Sequence, residues 1–412
     1  MARRARRASP AGTVILDAAQ RQALVAIRVL GRSGVGVVAV DGDRSAPGLG
    51  SRWCGRSVVV PHFASSADAY VDAVLAVCAE SAARSLIPCL DGSVEALRPR
   101  REEVERVIGL ALAREDPLDA AVDKTRTLAL ARTLGIRVPR GCCVSDPDVA
   151  ADAIDEVGLP AVVKPARSWV QGADIGKRIS PKVASSRSEA LDLVLAMLRD
   201  GVDVLLQEWL GGRREALSFV YAKGRFWGRF AQRADRTFPP LGGNSVLRES
   251  ISLPSDITPA AERLVAELDL EGYSEVEFRR DERGRAALME INPRLSASVE
   301  MAVRAGVPFP RLLHDWASGE SLTETSGYVT GLRMRWLGGD LSRLKSILSH
   351  PNRPDAPSRP QALMSFAADF ARPAAYDYVD RGDLRPAIIA TAGIARRAGR
   401  RLSRTRTPDR AG

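Results

Sequence analysis

The chain has 412 residues, 45% hydrophobic and 27% charged, which is enough for two or three packed units and outside the ranges of disordered or fibrous sequences. Its formal charge of +10 is concentrated at the ends: residues 1–10 hold four arginines and no acid, and residues 381–412 hold nine arginines against Asp383 and Asp409. The chain between them is close to neutral, so no nucleic-acid partner is expected along the folded body.

Residues 1–12 read as a basic disordered N-terminus. From 13 to 115, short β-branched runs alternate with amphipathic stretches. Strands are expected at 13–16, 35–40, 58–60, 85–90 and 108–113 and helices at about 20–30 and 67–83, the grammar of a parallel sheet covered on both faces. Gly31, Gly34 and Gly36 follow the first helix and do not open one, so they read as a helix C-terminus and not as a dinucleotide fingerprint.

Asp116 and Pro117 open a helix expected to run to Leu134 and stop at Gly135. A strand at 142–144, a helix ending at Gly158 and a strand at 161–164 follow. Ser186 and Glu189 make a capping box for a helix that ends at Gly201. These elements form a unit spanning 116–202. From 203 to 320 antiparallel sheet dominates: 204–209, then 215–222 and 225–232 around a Lys223-Gly224 turn, a helix at 258–268, and a hairpin of 273–280 and 285–291 across 281–284. An extension at 321–380 is richer in proline and arginine, and 381–412 is a basic tail.

Five cysteines without CxxC spacing and three histidines without an HxxxH pair argue against a disulfide framework, a zinc site or another histidine-ligated metal. The N-terminal apolar run stops at Asp17 and no 18-residue apolar window follows, so a cytoplasmic location is expected.

The last hairpin carries the chemistry. With 281–284 as a four-residue turn, Glu275 pairs with Glu290 and Glu277 with Leu288, so Glu275, Glu277, Glu290 and Asn292 share one face. Glu277 and Glu290 then lie on a diagonal of roughly 7–8 Å, which a hard cation closes by taking oxygens from both. An all-oxygen donor set favours magnesium completed by substrate phosphates. A solvated hairpin face with Arg279 as counter-charge is the plainer reading. It leaves unexplained the abrupt break from apolar strand to Asn292, Pro293 and Arg294. Only six of the 60 basic residues are lysine. Lys164 at the end of an apolar strand and Lys124 within a helix therefore stand out as slim point charges for phosphate, with snorkelling surface groups as the alternative.

Asp123-Lys124, Val162-Val163-Lys164-Pro165, Gln207-Glu208-Trp209-Leu210, Glu277 and Glu290-Ile291-Asn292-Pro293-Arg294, in that order and with a 13-residue interval between the two glutamates, resemble the ATP-grasp superfamily. The similarity covers about residues 13–320. It implies an N-terminal parallel α/β pre-ATP-grasp domain, then a two-subdomain α+β ATP-grasp fold (116–202 and 203–320) holding ATP between its halves. The nearest branches are amino-acid and peptide ligases, including D-aspartate ligase and D-alanine:D-alanine ligase, alongside the carbamoyl-phosphate synthase and biotin carboxylase type.

Carried over by position, the resemblance implies that Lys124 and Lys164 contact ATP phosphates, that Gln207, Glu208, Trp209 and Leu210 read the adenine edge, and that Glu215 holds the ribose. Glu277, Glu290 and Asn292 match magnesium ligands, for two ions, with manganese as an alternative. Arg294 matches the arginine that meets the carboxylate substrate or its acyl phosphate, so Lys164 and Arg294 are the implied catalytic pair. Arg233, the Gly242-Gly243-Asn244-Ser245 loop, Arg248 and Ser296 are further candidate substrate contacts. The family's glycine-rich flap is reduced here to Gly172 and Gly176 within 168–177, with Trp169 and Lys177 as substitutes. The implied activity is a magnesium-dependent ligase that activates a carboxylate as an acyl phosphate and joins it to an amine. Two other classes are a nucleotide-binding protein without catalysis and a protein attached to membrane or nucleic acid through its basic ends. For the latter, the apolar run 387–395 beside Arg396, Arg397, Arg400 and Arg401 would give a weak peripheral membrane contact. A solubilising tail is the bland reading.

Overall fold

The computed structural model describes residues 11–393 apart from 82, 168, 171–176, 241–242 and 350–356. Five short strands, β1 (Ala11–Ile15), β2 (Gly36–Asp41), β3 (Arg56–Val59), β4 (Ser85–Ile87) and β5 (Gly109–Leu110), form a parallel sheet in the order β3-β2-β1-β4-β5. β1 is central, so the strand order reverses between β1 and β4, the place where open α/β sheets leave a crevice at their C-terminal ends. Gly31 lies inside the first helix (Arg21–Arg32), where a Cβ would meet that of Trp53 at 2.7 Å, and Gly34 ends it at φ 84°. Glycine here serves close packing and termination, not phosphate binding.

A four-stranded antiparallel sheet follows, built from β6 (Gly141–Val144), β7 (Ala161–Pro165), β10 (Lys182–Ala184) and β11 (Val204–Glu208) in the order β10-β7-β11-β6. Between β7 and β10 a small hairpin pairs β8 (Trp169–Val170) with β9 (Lys177–Arg178). Even-numbered residues of β11 pack under the helices Ala150–Val157 and Arg187–Arg199, and odd-numbered ones face away from them with Lys164. The capping box is half formed: Ser186 accepts from the Glu189 amide, but the Glu189 carboxylate accepts from the Ser185 amide instead of that of Ser186.

The single helix expected from 117 to 134 is two helices, Glu115–Val122 and Lys124–Thr133, broken at Asp123. Asp123 adopts φ −87°, ψ 105° and accepts hydrogen bonds from the amides of Thr125 at 2.9 Å and Arg126 at 3.1 Å. An aspartate caps an N-terminus better than it sits inside a helix, so the chain breaks there. The break places Lys124 at the first position of a helix, its amide donating to Ala166 O at 3.0 Å. Asp123→Ala is expected to cost about 1 kcal/mol of stability in urea unfolding, the loss of a cap. In one continuous helix the same change would stabilise.

The third sheet has seven strands: β12 (Arg214–Ala222), β13 (Arg225–Phe238), β14 (Asn244–Ile251), β15 (Gly272–Arg280), β16 (Ala286–Asn292), β17 (Arg333–Arg335) and β18 (Ala375–Tyr376), in the order β16-β15-β12-β13-β14-β17-β18. Lys223 (φ 52°) and Gly224 (φ 72°) make the tight turn between β12 and β13, the left-handed pair that such hairpins use. β17 and β18 come from the stretch expected to be a separate extension, so residues 333–335 and 375–376 complete this sheet.

Buried ion pairs tie this last stretch to the rest. Arg248 and Arg335 are fully buried. Arg248 grips Asp377 through both terminal nitrogens at 3.0 and 2.6 Å, and Asp377 also takes Arg21 from the first domain at 3.1 Å. Asp383, expected within the basic tail, is buried and accepts from Arg28 Nε at 3.0 Å, Ser51 Oγ at 2.7 Å and the Arg52 amide at 2.9 Å. Arg335 bonds Asp340 at 2.8 Å between the rings of Phe366 and Phe370. Among the described residues no helix is long and apolar enough to cross a membrane.

Candidate nucleotide and metal site

The hairpin of β15 and β16 differs in register from the parity argument yet keeps its grouping. Glu277 pairs directly with Glu290 and Glu275 with Asn292, while nearer the turn Phe278 pairs with Leu288 and Arg280 with Ala286. Met289 is the extra residue of a β-bulge between those two runs. The tighter turn moves the register by one residue and the bulge moves it by another. Two one-residue slips restore the face, since side chains alternate with period 2. Leu288 goes to the core with Phe278. The bulge also exposes the Met289 carbonyl, which accepts from Lys164 Nζ at 3.4 Å.

Directly opposed carboxylates lie closer than diagonal ones. Burial pushes the Glu277 carboxyl above the ordinary range, Arg214 at 3.2 Å opposes this, and the facing Glu290 adds to it. Glu290 is held below its ordinary value, because Lys124 and Lys164 outweigh its burial. Asn292 Nδ2 donates to Glu277 Oε1 at 3.3 Å. Two acids and an amide oxygen, with no thiol or imidazole among them, form a donor set that fits magnesium.

The two lysines arrive from other elements. Lys124 Nζ lies 3.7 Å from Glu290 Oε2. Lys164 is 3% exposed, and burial lowers its pKa to about 8 against the pull of Glu290. Both lysines, Glu290, Glu277 and Asn292 thus converge. A cleft of about 500 Å³, open to solvent, is lined by Lys124, Glu290, Asn292 and Arg294 together with Arg167, Trp169 and Asp91. Trp169 seats its ring edge-on to Phe63 at 5.3 Å. Gly172, Gly176, Gly242 and the basic segments 1–10 and 394–412 lie outside the described residues.

Arg294 is 9% exposed, with its Nε on Asp91 of the first domain. Burial opposes ionisation of Asp91, but Arg294, Arg178 and Lys124 hold its pKa at about 2. Asp17 fixes the turn that presents Asp91 by accepting from the Cys89 amide at 2.9 Å and Ser93 Oγ at 2.6 Å. Sequence reasoning missed Asp91, Arg214 and Arg167. Asp91 sits just beyond β4 at the strand-order reversal, a position that the α/β crevice rule marks.

Gln207 faces the same side of its sheet as Lys164. It is fully buried, and both its amide oxygen and its amide nitrogen lack a partner. The Glu208 carboxylate accepts from the Arg140 amide at 2.9 Å and Nε at 2.8 Å and lies on the opposite sheet face from Gln207. The Trp209 amide donates to Pro160 O at 3.2 Å, its ring lies under Arg279 at 5.5 Å, and Leu210 is buried.

Of four further expected contacts, two face away from the site and two are engaged by neighbouring side chains. Glu215 pairs with Phe278 in the sheet and so points away from Glu277, clamped by Arg280 at 3.0 and 2.7 Å. Arg233, opposite Glu215, shares that far face and bonds Asp235 at 2.9 Å and Glu249 at 3.2 Å. A bulge at Trp227, between the pairs Val220–Gly228 and Tyr221–Phe226, moves the register so that Gln232, not Arg233, is on the site face. Arg248 is on the site face, but its terminal nitrogens are taken by Asp377. Ser296 is buried and bonds Tyr273 Oη at 3.0 Å and Ser298 Oγ at 3.1 Å.

A parallel α/β domain followed by two largely antiparallel sheets, with lysines on one facing carboxylates on the other, is the arrangement of the ATP-grasp fold. Residues 204–339 match the family described as ATP-grasp in the biosynthetic pathway with Ter operon. The carbamoyl phosphate synthase large chain of Methanoculleus marisnigri is 28% identical over 229 residues, 52% of this chain and 21% of that protein. The D-alanine--D-alanine ligase of Pseudomonas putida is 27% identical over 207 residues, 47% of this chain and 62% of that protein. The chain therefore spans less than two thirds of these relatives. Biotin carboxylase of Campylobacter jejuni, solved as a β-γ-ATP complex, superimposes with a TM-score of 0.62 at 16% identity, covering 78% of this chain and 74% of that one. Residues 204–339 thus match an ATP-grasp family, and the fold as a whole is shared with biotin carboxylase.

Proposed function

We propose that the chain is a magnesium-dependent ligase that uses ATP to activate a carboxylate as an acyl phosphate and joins it to an amine. The observation that carries this reading is the convergence of Lys124 and Lys164 on Glu290, which itself faces Glu277. The relatives' names, a synthase and a ligase, support it.

Glu277, Glu290 and Asn292 would hold the metal. When bound, magnesium neutralises phosphate charge and polarises the γ-phosphoryl group. Lys124 and Lys164 complement the remaining phosphate charge from the opposite side, where burial strengthens each interaction. Arg294 orients the substrate carboxylate: Asp91 occupies its Nε, while among the described residues its terminal nitrogens meet only Leu295 O and Asn292 Oδ1, both at 3.5 Å. The carboxylate oxygen attacks the γ-phosphorus and ADP leaves. An amine then attacks the acyl carbon, a C–N bond forms, the C–O bond to phosphate breaks, and inorganic phosphate departs. Trp169, which lines the cleft, would help to shield the acyl phosphate from water.

Gln207 would hydrogen-bond the base edge. Gln207→Leu is expected to raise the thermal midpoint of the nucleotide-free protein, because a buried unpaired amide is replaced by an apolar group, and to weaken ATP binding about 3- to 10-fold, the worth of one net hydrogen bond. Calorimetric titration with a non-hydrolysable ATP analogue checks both halves.

The reading as a whole is tested by ADP release with magnesium-ATP across pairs of small acids and amines. Nucleotide-induced stabilisation with no release for any pair would establish a binding protein instead.

A further inference from the structure

The helical residues 385–393, at the end of the described chain, have two unlike faces. Pro386 is buried, and Ile389 packs so closely on Gly50 that its Cδ1 leaves no room for a Cβ there. These two residues seat the helix on the turn Pro47–Gly50 of the first domain. Half-buried Ala390 and Gly393 continue that face at helical spacing. On the other side Leu384 is 52% exposed and Ile388 is 67% exposed, with Thr391 and Ala392 exposed one turn further on. No large hydrophobic among the described residues is more exposed than Ile388. A helix packed by one face ordinarily turns polar side chains to water on the other. Here leucine and isoleucine, four residues apart and so neighbours on one face, take that place.

The charge around this face has one sign. Asp380 and Asp383 are paired with Arg32 and Arg28, whereas Arg381 and Arg385 are exposed. From Leu384 to Pro408 the sequence contains no acid, and Arg396, Arg397, Arg400, Arg401, Arg404 and Arg406 fall within it. The same stretch contains no phenylalanine, tyrosine or tryptophan. A nucleic acid would meet the arginines but leave Leu384 and Ile388 in water, and single strands are bound on aromatic platforms that this stretch lacks. Two apolar side chains bury little area, and a polybasic segment alone is screened by salt. Stable attachment to a lipid surface takes both signals together, and both are present here.

We propose that this end of the chain is a docking surface for anionic lipid. Leu384 and Ile388 enter the boundary between headgroups and acyl chains, and the arginines from 396 to 406 lie against the lipid headgroup anions. Because Pro386 and Ile389 fix the helix to the first domain, the contact holds the folded body at the membrane surface. It is independent of the ligase reading.

The test is co-sedimentation of the full chain with vesicles of phosphatidylcholine, alone or with about 30% phosphatidylserine, at about 0.15 M salt. The anionic vesicles should bind at least about 10-fold more tightly than the neutral ones. Ending the chain at Gly393 removes the arginines but keeps Asp383 on Arg28 and Ser51. Its thermal midpoint should therefore match the parent's, while its affinity for anionic vesicles falls at least about 10-fold. Leu384→Ser combined with Ile388→Ser changes only exposed positions and should lower that affinity at least about 3-fold. Circular dichroism reports the folding of both variants, and if one is misfolded the other decides. The proposal is overturned if anionic vesicles bind no better than neutral ones, or if a folded variant binds them as tightly as the parent. Tighter binding to a DNA duplex of about 30 base pairs than to the anionic vesicles, unaffected by the double substitution, also overturns it and makes the arginines a nucleic-acid contact.

Discussion

Replacing Glu290 by glutamine is expected to lower magnesium-ATP-dependent ADP release at least about 100-fold, the scale on which preorganised electrostatic groups act in transfer reactions. Glu290 is where the two halves of the site meet: it faces Glu277 across β15 and β16 and is reached by Lys124. Glutamine keeps the shape and one oxygen but removes the charge that the metal and both lysines require. Stability should fall as well, because the buried Lys124 and Lys164, which hold the Glu290 carboxyl below its ordinary value, lose their counter-charge, while Glu277, raised mainly by burial, gains only the relief of a smaller repulsion. A lower thermal midpoint in a variant that circular dichroism shows to be folded, together with lost turnover across a magnesium titration, is therefore the expected pair of results. Turnover within threefold of the parent would remove Glu290 from the metal site.

Asp377→Asn should be the most destabilising of these substitutions, by about 3–5 kcal/mol, the cost of breaking a buried ion pair and leaving its partner charged. Asp377 is 7% exposed and answers two arginines at once, Arg248 from the large sheet and Arg21 from the first domain. Asparagine would leave a fully buried guanidinium uncompensated. The effect should also depend on pH. Burial works against the Asp377 carboxylate, but Arg248 and Arg21 hold its pKa below the ordinary value. A carboxyl with a depressed folded-state pKa stabilises above its unfolded pKa of about 3.9, and that contribution is lost as pH falls through the folded value. The gap between the thermal midpoints of parent and variant should be constant above pH 5 and close below pH 4. A gap that persists into acid would assign Asp377 a packing role alone.

The two predictions act at sites of unequal legibility. Glu290 stood out because an apolar strand ending in Glu-x-Asn-Pro-Arg has an alternation that local parity reads directly, and two compensating register slips left that parity intact. Glu215 and Arg233 were misplaced for the complementary reason. Their strands read correctly as a hairpin, but a bulge at Trp227 and the pairing of β12 with β15 decide which face looks into the cleft, and neither is encoded in local alternation. Asp377 and Asp383 were illegible. Nothing in a proline- and arginine-rich stretch announces that single aspartates return across more than 120 residues to compensate Arg248 and more than 300 to compensate Arg21 and Arg28.

Local chemistry in the chain itself, from strand and helix periods to turn glycines and the placing of lysines and glutamates, was sufficient for the mixed α/β class and for the five residues that converge in the structure, while the ordered motifs carried the resemblance to the ATP-grasp superfamily. Those features depend on backbone geometry within a dozen or so residues, which a sequence expresses directly. The side chains brought to the site from other elements, with Asp91 and Arg167 lining the cleft and Arg214 paired with Glu277, and the buried arginine–aspartate pairs were decided by tertiary structure alone. Each depends on which distant segment desolvates a given charge. That is a property of the packed whole, and a charged residue looks the same in sequence whether water or a buried counter-ion will meet it.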